Sequence, residues 1–163
     1  MSVIDIALFR EAMGRTASGV TVVTTDGEAG RAGVTVSSLC SLSMEPPSVL
    51  FCLNKGSRTL PTLIANGVFA ANILAHGQHR VADSFAGLIP ELADDRFAVA
   101  EWERLHTGAP VLMGALCRFD CRIAGMFEFG THHIIAGEVL ALASDAAKPL
   151  VYSNRAYHKL EVA

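Results

Sequence analysis

The chain has 163 residues, of which 51% are hydrophobic and 18% charged, and its formal net charge is −3. A single domain of this size has a full core, and its excess of apolar residues favours further burial in an oligomer. Lysine and arginine are scattered, and no apolar run approaches the ~20 residues that span a bilayer, so we expect neither a nucleic-acid partner nor a membrane protein.

The amino-terminal part of the chain predicts a helix followed by a β-hairpin. Residues Asp5 to Ala17 place their apolar side chains on one helical face. The β-branched run from Val20 to Thr25 ends in Asp26-Gly27, a strong hairpin signal, and the return strand would begin near Arg31 and continue to Leu39 or beyond. Because no cationic region precedes an apolar one, we expect no signal peptide and a cytoplasmic protein.

Residues 33–60 combine several features of a ligand site. A strand rich in small hydroxyls is followed by the rigid pair Pro46-Pro47 and by an apolar strand from Ser48 to Leu53. That strand ends in the turn Asn54-Lys55-Gly56-Ser57-Arg58, directly before a short helix. Free backbone N–H groups and the positive end of a helix dipole favour an anion at such a place. The stretch therefore predicts a phosphate site beside a strand that suits a flat, polar-edged ligand.

The middle of the chain predicts short helices, one strand and a long irregular segment, as judged from hydrophobic periodicity and glycine stops. In order, these are a helix near Thr59 to Ala65 that ends at Asn66-Gly67, a strand from Val68 to Leu74, a helix from Gln78 to Phe85, and a surface segment from Leu88 to Thr107 anchored by Phe97 and Trp102.

Alternating residues predict strands in the last third of the chain. Val111 to Ile123 would form one strand with a dry face and a charged face. A turn at Ala124-Gly125 would join it to a strand from Phe127 to Leu142, and Leu150 to Tyr152 and Tyr157 to Leu160 would close the chain. Many strands with short turns and few helices indicate a mainly β fold, an antiparallel barrel with Greek-key-like connections.

The order of short motifs in residues 33–60 resembles a known family. T-V-S-S, S-x-S, P-P, an apolar strand and N-K-x-S-R together are similar to the flavin-binding segment of the short-chain flavin reductases, which include reductase components of two-component monooxygenases. The similarity runs from about Phe9 to Leu160 and implies one domain over residues 1–163. It also implies the FMN-binding split barrel and a homodimer with flavin near the subunit interface.

The resemblance further implies which residues hold the flavin. The ring and ribityl chain would lie along the hydroxyl-rich strand, with the phosphate at the following turn and one histidine as the candidate catalytic residue. The implied residues are Thr35, Val36, Ser37, Ser38 and Ser41 for the ring and ribityl chain, Asn54, Lys55, Ser57 and Arg58 for the phosphate, and His132 for contact with nicotinamide or flavin. The family commonly has Gly-Asp-His where this chain has Gly130-Thr131-His132.

Other interpretations of the same residues stay open. The turn could be an ordinary solvated loop, and the hydroxyls could form the outer face of an edge strand. His132 and His133 would point to opposite faces of a strand, so we expect no metal site there.

We expect reduced core thiols at all four cysteines, namely Cys40, Cys52, Cys117 and Cys121.

The residues and the resemblance together predict an NAD(P)H-dependent flavin reductase. It would transfer hydride from NADH or NADPH to FMN or FAD and supply reduced flavin to a partner monooxygenase. A second hypothesis is a barrel that binds FMN as an electron carrier or storage protein without turnover. A third is a related oxidase of a phosphorylated pyridine, which usually has more cationic residues than this chain. The sequence does not decide between FMN and FAD as the flavin, or between NADH and NADPH as the hydride donor.

Overall fold

A computed structural model of the chain describes residues 4–162. Its helices are α1 (Ile6–Gly14), α2 (Thr59–Asn66) and α3 (His79–Phe85), and its two 3-10 turns are Pro90–Leu92 and Arg96–Val99. Its strands are β1 (Ser18–Gly19), β2 (Thr21–Thr25), β3 (Ala32–Val36), β4 (Cys40–Met44), β5 (Pro47–Asn54), β6 (Val68–Ile73), β7 (Trp102–Arg104), β8 (Pro110–Leu112), β9 (Cys117–Phe129), β10 (His132–Ser144), β11 (Leu150–Ser153) and β12 (Ala156–Lys159).

Seven of these strands form one antiparallel sheet that curls into an incomplete barrel. The strand order is β3-β2-β6-β9-β10-β5-β4. Over residues 4–162 no backbone ladder joins β3 to β4, so the barrel is not closed by strand pairing. Ser38 bridges the gap instead, because its hydroxyl donates to the Cys52 carbonyl oxygen at 3.2 Å and accepts from the Cys52 N–H at 2.9 Å. The expected mainly β, antiparallel split-barrel class is confirmed.

The core fills the inside of this curled sheet. Phe51 and Phe69 pack edge to face with their ring centroids 5.2 Å apart, and both side chains are fully buried. Leu63 of α2 closes the same cluster from one end. A Cβ atom at Gly137 would lie 2.6 Å from Cε1 of Phe69, so a side chain at this position would displace the ring. The barrel interior is therefore packed with side chains, and a ligand has to bind at its rim.

Local predictions in the first half of the chain are confirmed. β2 and β3 form the expected hairpin, with Thr21 opposite Val36. Helix α2 ends at Gly67, whose φ of +68° is the left-handed conformation that glycine tolerates. The expected return strand is shorter than predicted, because β3 ends at Val36 and a new strand, β4, begins at Cys40.

The irregular segment before β9 is anchored as predicted. Phe97 and Trp102 pack edge to face against Phe85, with centroid distances of 4.9 and 5.5 Å. The indole N–H of Trp102 also donates to the carbonyl oxygen of Phe97 at 2.9 Å. These contacts hold the segment over α3 and give it a fixed position beside the sheet.

The predicted strand from Val111 to Ile123 and its turn are wrong in two respects. The strand is interrupted between β8, which ends at Leu112, and β9, which begins at Cys117. β9 then continues through Ala124-Gly125 to Phe129, and the hairpin turn lies at Gly130-Thr131. The Ala124-Gly125 pair coincides with a register shift between β9 and β10, which is a β-bulge, and glycine is as suited to a bulge as to a turn.

The charged face predicted for β9 is buried at Arg118 and Asp120, whereas Arg122 is exposed and pairs with Glu138 at 2.7 Å. Arg118 is 7% exposed and pairs with Glu103 at 3.1 Å and Asp145 at 2.8 Å. Asp120 is fully buried and accepts hydrogen bonds from the N–H groups of His106 and Thr107. The segment that follows β7 covers this face, which alternation along β9 alone does not reveal.

Helix α1 presents its apolar face to solvent within one chain. Asp5 caps the helix by accepting from the Ala7 N–H at 2.7 Å, and none of the helical residues is buried. Leu8 is 63% and Phe9 58% exposed. Among residues 4–162 no helix has the length and apolar character needed to cross a membrane.

Candidate functional site

A cavity of about 390 Å³ lies at the rim of the barrel, in the gap between β3 and β5, and we call it the cradle. It is lined by Val34, Thr35, Val36, Ser37, Ser38, Cys52, Leu53, Asn54, Ser57 and His132. Seven of the ten residues implied by the sequence resemblance are in this lining. His132 joins them because β10 pairs with β5 and places it opposite Asn54.

The cradle wall is formed where β3 leaves the sheet. The ladder between β2 and β3 ends at Val36, so the main chain from Ser37 onward is not used by that pairing. The hydroxyl of Thr35 donates to the Ala82 carbonyl oxygen at 2.6 Å, and that of Ser38 bridges to Cys52. Within residues 4–162 the hydroxyl of Ser37 has no hydrogen-bond partner. Ser37 therefore offers a polar side chain, while Thr35 and Ser38 mainly shape the wall.

The turn from Asn54 to Arg58 uses most of its own N–H groups. The Lys55 N–H donates to the Thr131 carbonyl oxygen at 3.0 Å, the Gly56 N–H to Asn54 Oδ1 at 2.8 Å, and the Ser57 N–H to the Asn54 carbonyl oxygen at 2.9 Å. These three N–H groups are therefore already used within the protein.

Free amides are found instead at the start of α2. Within residues 4–162 the N–H groups of Arg58 and Thr59 have no acceptor, and they begin the first turn of α2. Because unpaired N–H groups and the helix dipole coincide here, this helix start is the place that favours an anion. Ser57 adds a hydroxyl that, over the same residues, has no partner.

Lys55 is engaged by a carboxylate from the neighbouring hairpin. Its ammonium group bonds to Glu128 near the end of β9, and this hydrogen bond and charge hold the pKa of the Glu128 carboxyl below its ordinary value. Both side chains are exposed, so the pair is readily exchanged for another partner. Lys55 lies beside the cradle and is outside its lining.

Arg58 lies on the far side of the same turn and lines a second cavity of about 500 Å³, which we call the arginine cavity. Its lining also includes Arg31 and Arg96, together with Asp94 and Asp95. Lys55 and Arg58 therefore border different spaces, which their closeness in sequence does not indicate.

The remaining predicted site residues differ in their placement. His132 is exposed, with its Nδ1 2.9 Å from the Thr131 hydroxyl, which orients the ring at the cradle rim. Ser41 is exposed on the edge strand β4 and does not line the cradle. Over residues 4–162 no group of three or more histidine, cysteine, aspartate or glutamate residues is arranged to bind a metal ion.

The cysteines are unpaired thiols in three different environments. Cys121 is buried, and burial raises the pKa of its thiol to about 12. Cys52 is half-buried in the cradle wall and Cys117 is half-buried in β9. Cys40 is exposed on β4, so the prediction of a core thiol is wrong there, because β4 is an edge strand and turns that residue outward.

Comparison with known proteins agrees with this architecture. Residues 13–161 match the protein family described as the flavin reductase like domain. The chain belongs to the flavin reductase family. A curated relative named FMN reductase (NADH) RutF 2, from Methylorubrum extorquens strain PA1, is 46% identical over 158 residues, which cover 96% of this chain and 91% of the relative.

Two solved flavin reductase structures have the same fold. The NADH:FAD oxidoreductase SgcE6 of Streptomyces globisporus C-1027 is 30% identical, with a TM-score of 0.88 and 99% of each chain covered. The styrene monooxygenase flavin reductase SMOB of Pseudomonas putida S12 is 27% identical, with a TM-score of 0.82 over 95% of this chain and 98% of that one. The sequence resemblance to the flavin reductases is thereby confirmed.

The cradle fits the flavin that this flavin reductase family takes its name from. Its volume lies within the range of about 300–1,000 Å³ that is usual for small-molecule sites. Val34 and Leu53 give it apolar walls, and the hydroxyls of Ser37 and Ser57 give it polar edges. The hydroxyl of Ser57, directly before the start of α2, belongs to the same lining.

Sequence reasoning missed several residues of both cavities. Val34, Cys52 and Leu53 line the cradle, and they extend the two predicted segments by one residue before Thr35 and by two residues before Asn54. Arg31 and Arg96 line the arginine cavity, but they are far from Arg58 in the sequence and no local signal links the three.

Proposed function

We propose that this chain is an NADH-dependent flavin reductase that reduces FMN or FAD. The observation that carries the proposal is the cradle, which brings a hydroxyl-bearing strand end, a histidine and the turn that leads into helix α2 together at the barrel rim. The names of the relatives support the activity, because they include an FMN reductase (NADH) and an NADH:FAD oxidoreductase.

The proposed roles of the residues follow from their positions. The ring would lie in the cradle against Val36 and Ser37, with Thr35 and Ser38 keeping the wall in place. Asn54 holds the turn through Gly56, and Ser57 and Arg58 would bind the phosphate. Lys55 would add charge after release from Glu128, and Ser41, exposed on the edge strand β4, is proposed as a further contact.

The chemistry needs positioning more than acid or base groups. A bound flavin would supply the acceptor for a hydride from C4 of the reduced nicotinamide. The chain's part is to hold the two rings in contact and to keep water out of the cradle. His132 would contact the nicotinamide or the flavin at the rim, and its contact with Thr131 orients it for that role.

We also propose a homodimer with flavin close to the subunit interface. Phe127 is 60% and Phe129 75% exposed at the end of β9, and the apolar face of α1 is exposed as well. Phe129 lies opposite His132 across the β9–β10 ladder, so this apolar surface borders the cradle. Burial of such a surface against a second copy would stabilise both the dimer and the site.

The proposed physiological role is to supply reduced flavin to a monooxygenase in the cytoplasm. The similarity to a styrene monooxygenase flavin reductase supports a partner oxygenase. Reduced flavin would reach the partner by diffusion, so no dedicated docking surface is required. FMN held only for storage or electron carriage remains the alternative, and turnover of free flavin distinguishes the two.

The decisive assay measures NADH oxidation by the purified protein as FMN or FAD is added. We expect a rate that saturates with flavin and is absent without it. Arg58→Gln should raise the KM for FMN by about tenfold to a hundredfold, because a charge-assisted hydrogen bond to a phosphate is worth about 1.5–3 kcal/mol. NADH oxidation that does not depend on added flavin, in protein that carries none, would contradict the proposal.

The matched control is Arg80→Gln. Arg80 is an exposed arginine paired with Glu91 at 3.6 Å, and it lines neither the cradle nor the arginine cavity. Its KM for FMN should equal that of the unmodified protein. An equal rise of the KM for FMN in both variants would show that net charge causes the effect and that Arg58 does not bind the phosphate.

A further inference from the structure

The carboxy-terminal hairpin, formed by β11 and β12, has a tyrosine that contacts helix α3. The hydroxyl of Tyr157 donates a hydrogen bond to Oδ1 of Asp83 at 2.7 Å. Burial and this hydrogen bond raise the pKa of the Tyr157 hydroxyl above its ordinary value, so the group stays protonated and remains a donor. Neither residue lines the cradle, so this contact has no direct part in binding a flavin there.

The base of the same hairpin is fixed to the barrel. The Leu150 N–H donates to the Leu74 carbonyl oxygen at 3.0 Å, and the Leu150 carbonyl oxygen accepts from the Val20 N–H at 3.2 Å. These three side chains are buried in one apolar cluster, and Tyr157 packs against that cluster. Tyr157 therefore belongs to a segment that is tied to the barrel core, and it can restrain the helix that it contacts.

Helix α3 in turn supports the wall of the cradle. The Thr35 hydroxyl donates to the carbonyl oxygen of Ala82, the residue before Asp83, at 2.6 Å. The helix also packs closely on β3, because a Cβ atom at Gly33 would lie 2.6 Å from Cε1 of Phe85. Both contacts fix the position of β3 just before this strand leaves the sheet.

The end of β3 also borders a smaller cavity that Tyr157 lines. This cavity has a volume of about 180 Å³, and its lining includes Tyr152 and Tyr157 together with Thr35, Val36 and Ser37. The last three residues line the cradle as well. Because this strand end borders open space in both cavities, fewer packed atoms hold it, and its position depends more on the hydrogen bond to α3.

We propose that Tyr157 is a positioning residue of the flavin site, which acts through Asp83 and α3 to hold the end of β3 where flavin binding needs it. The inference rests on the proposed function, since it concerns the same flavin site. Without the Tyr157 hydroxyl, α3 would lose its link to the hairpin, and the cradle wall would take its binding position for only part of the time. The apparent affinity for flavin falls by that fraction, whereas hydride transfer to flavin already bound is unaffected.

The experiment measures kcat and the KM for FMN and for NADH in the unmodified chain, in Tyr157→Phe and in the control Tyr152→Phe. Tyr157→Phe keeps the ring and removes the hydroxyl, so the KM for FMN should rise about threefold to tenfold while kcat stays within about twofold. Tyr152 lines the same cavity, but its hydroxyl has no hydrogen-bond partner within residues 4–162, so Tyr152→Phe should change neither constant.

A purely structural role of Tyr157 would give a different result. Loss of folded protein lowers the apparent kcat and leaves the KM for FMN unchanged, and that outcome would overturn the inference. A rise confined to the KM for NADH, or an equal rise of the KM for FMN in Tyr152→Phe, would overturn it as well.

Further variants test the path through α3. Asp83→Asn keeps an oxygen acceptor for the Tyr157 hydroxyl and should leave the KM for FMN within about twofold, whereas Asp83→Ala should raise it as much as Tyr157→Phe does. In the Thr35→Val background, which lacks the hydroxyl bonded to Ala82, Tyr157→Phe should add little to the KM. A rise of the same factor with and without the Thr35 hydroxyl would exclude this path and overturn the inference.

Flavin fluorescence titrated with protein, in the absence of NADH, separates this inference from the proposed function. If the chain binds FMN and Tyr157→Phe weakens that binding, but neither protein oxidises NADH, the activity proposal fails alone. If the chain reduces FMN and Tyr157→Phe binds FMN as tightly as the unmodified chain, this inference fails alone.

Discussion

Ser38 holds the two sides of the cradle together with one hydroxyl group. It both donates to and accepts from the main chain of Cys52, at 3.2 and 2.9 Å, across the gap between β3 and β5. Ser38→Ala removes both bonds and leaves the amide and carbonyl groups of Cys52 without these partners. At about 0.5–1.5 kcal/mol for each hydrogen bond, the free energy of unfolding should fall by about 1–3 kcal/mol.

The loss is measured by urea unfolding of the flavin-free protein, followed by the fluorescence of Trp102, which is the one tryptophan of the chain. In a thermal unfolding experiment on Ser38→Ala, the midpoint temperature should fall by roughly 2–4 °C for each kcal/mol of lost stability in a domain of this size. The matched control is Ser37→Ala, since Ser37 is the next residue and its hydroxyl has no partner within residues 4–162. Ser37→Ala should keep the stability and weaken flavin binding. Equal unfolding free energies for the two variants would refute the bridging role of Ser38.

Two further predictions concern charge. Glu128→Gln should release Lys55 and lower the KM for flavin roughly twofold to fivefold, as expected for an exposed ion pair. Glu138→Gln, which breaks the ion pair with Arg122, is the control and should leave the KM unchanged. An unchanged KM in both variants would contradict a phosphate role for Lys55. Because burial raises the pKa of Cys121 from 9.0 to about 12, its neutral thiol adds stability below pH 9 that is lost as the pH rises towards 12. The unfolding free energy should therefore fall more steeply over that range than in Cys121→Ala, and parallel pH profiles would exclude this cause.

Elements whose signals lie within a few neighbouring residues were predictable. The hairpin through Asp26-Gly27 and the end of α2 at Gly67 depend on turn geometry that adjacent residues specify. The interpretation of Ala124-Gly125 as a turn was wrong, because a bulge and a turn use the same small residues. The partner strand distinguishes the two, because β10 pairs with β9 on both sides of Ala124-Gly125.

Burial of charged residues depended on chain segments that are distant in sequence. Asp120 alternates with apolar neighbours, which is the pattern of a half-solvated strand. In the structure it is fully buried, because Thr107 and the main chain before it satisfy its oxygens. A buried carboxylate needs such partners, and periodicity along one strand cannot identify them.

The sequence by itself determined the family and most of the cradle, because β3, β5 and the turn at Arg58 lie within one continuous stretch. Only the tertiary structure decided what each cation faces. Lys55 pairs with Glu128, and Arg58 lines a cavity together with Arg31 and Arg96, because the curl of the sheet brings these residues near one another. Electrostatic contacts depend on distance in space, and distance along the chain does not determine it.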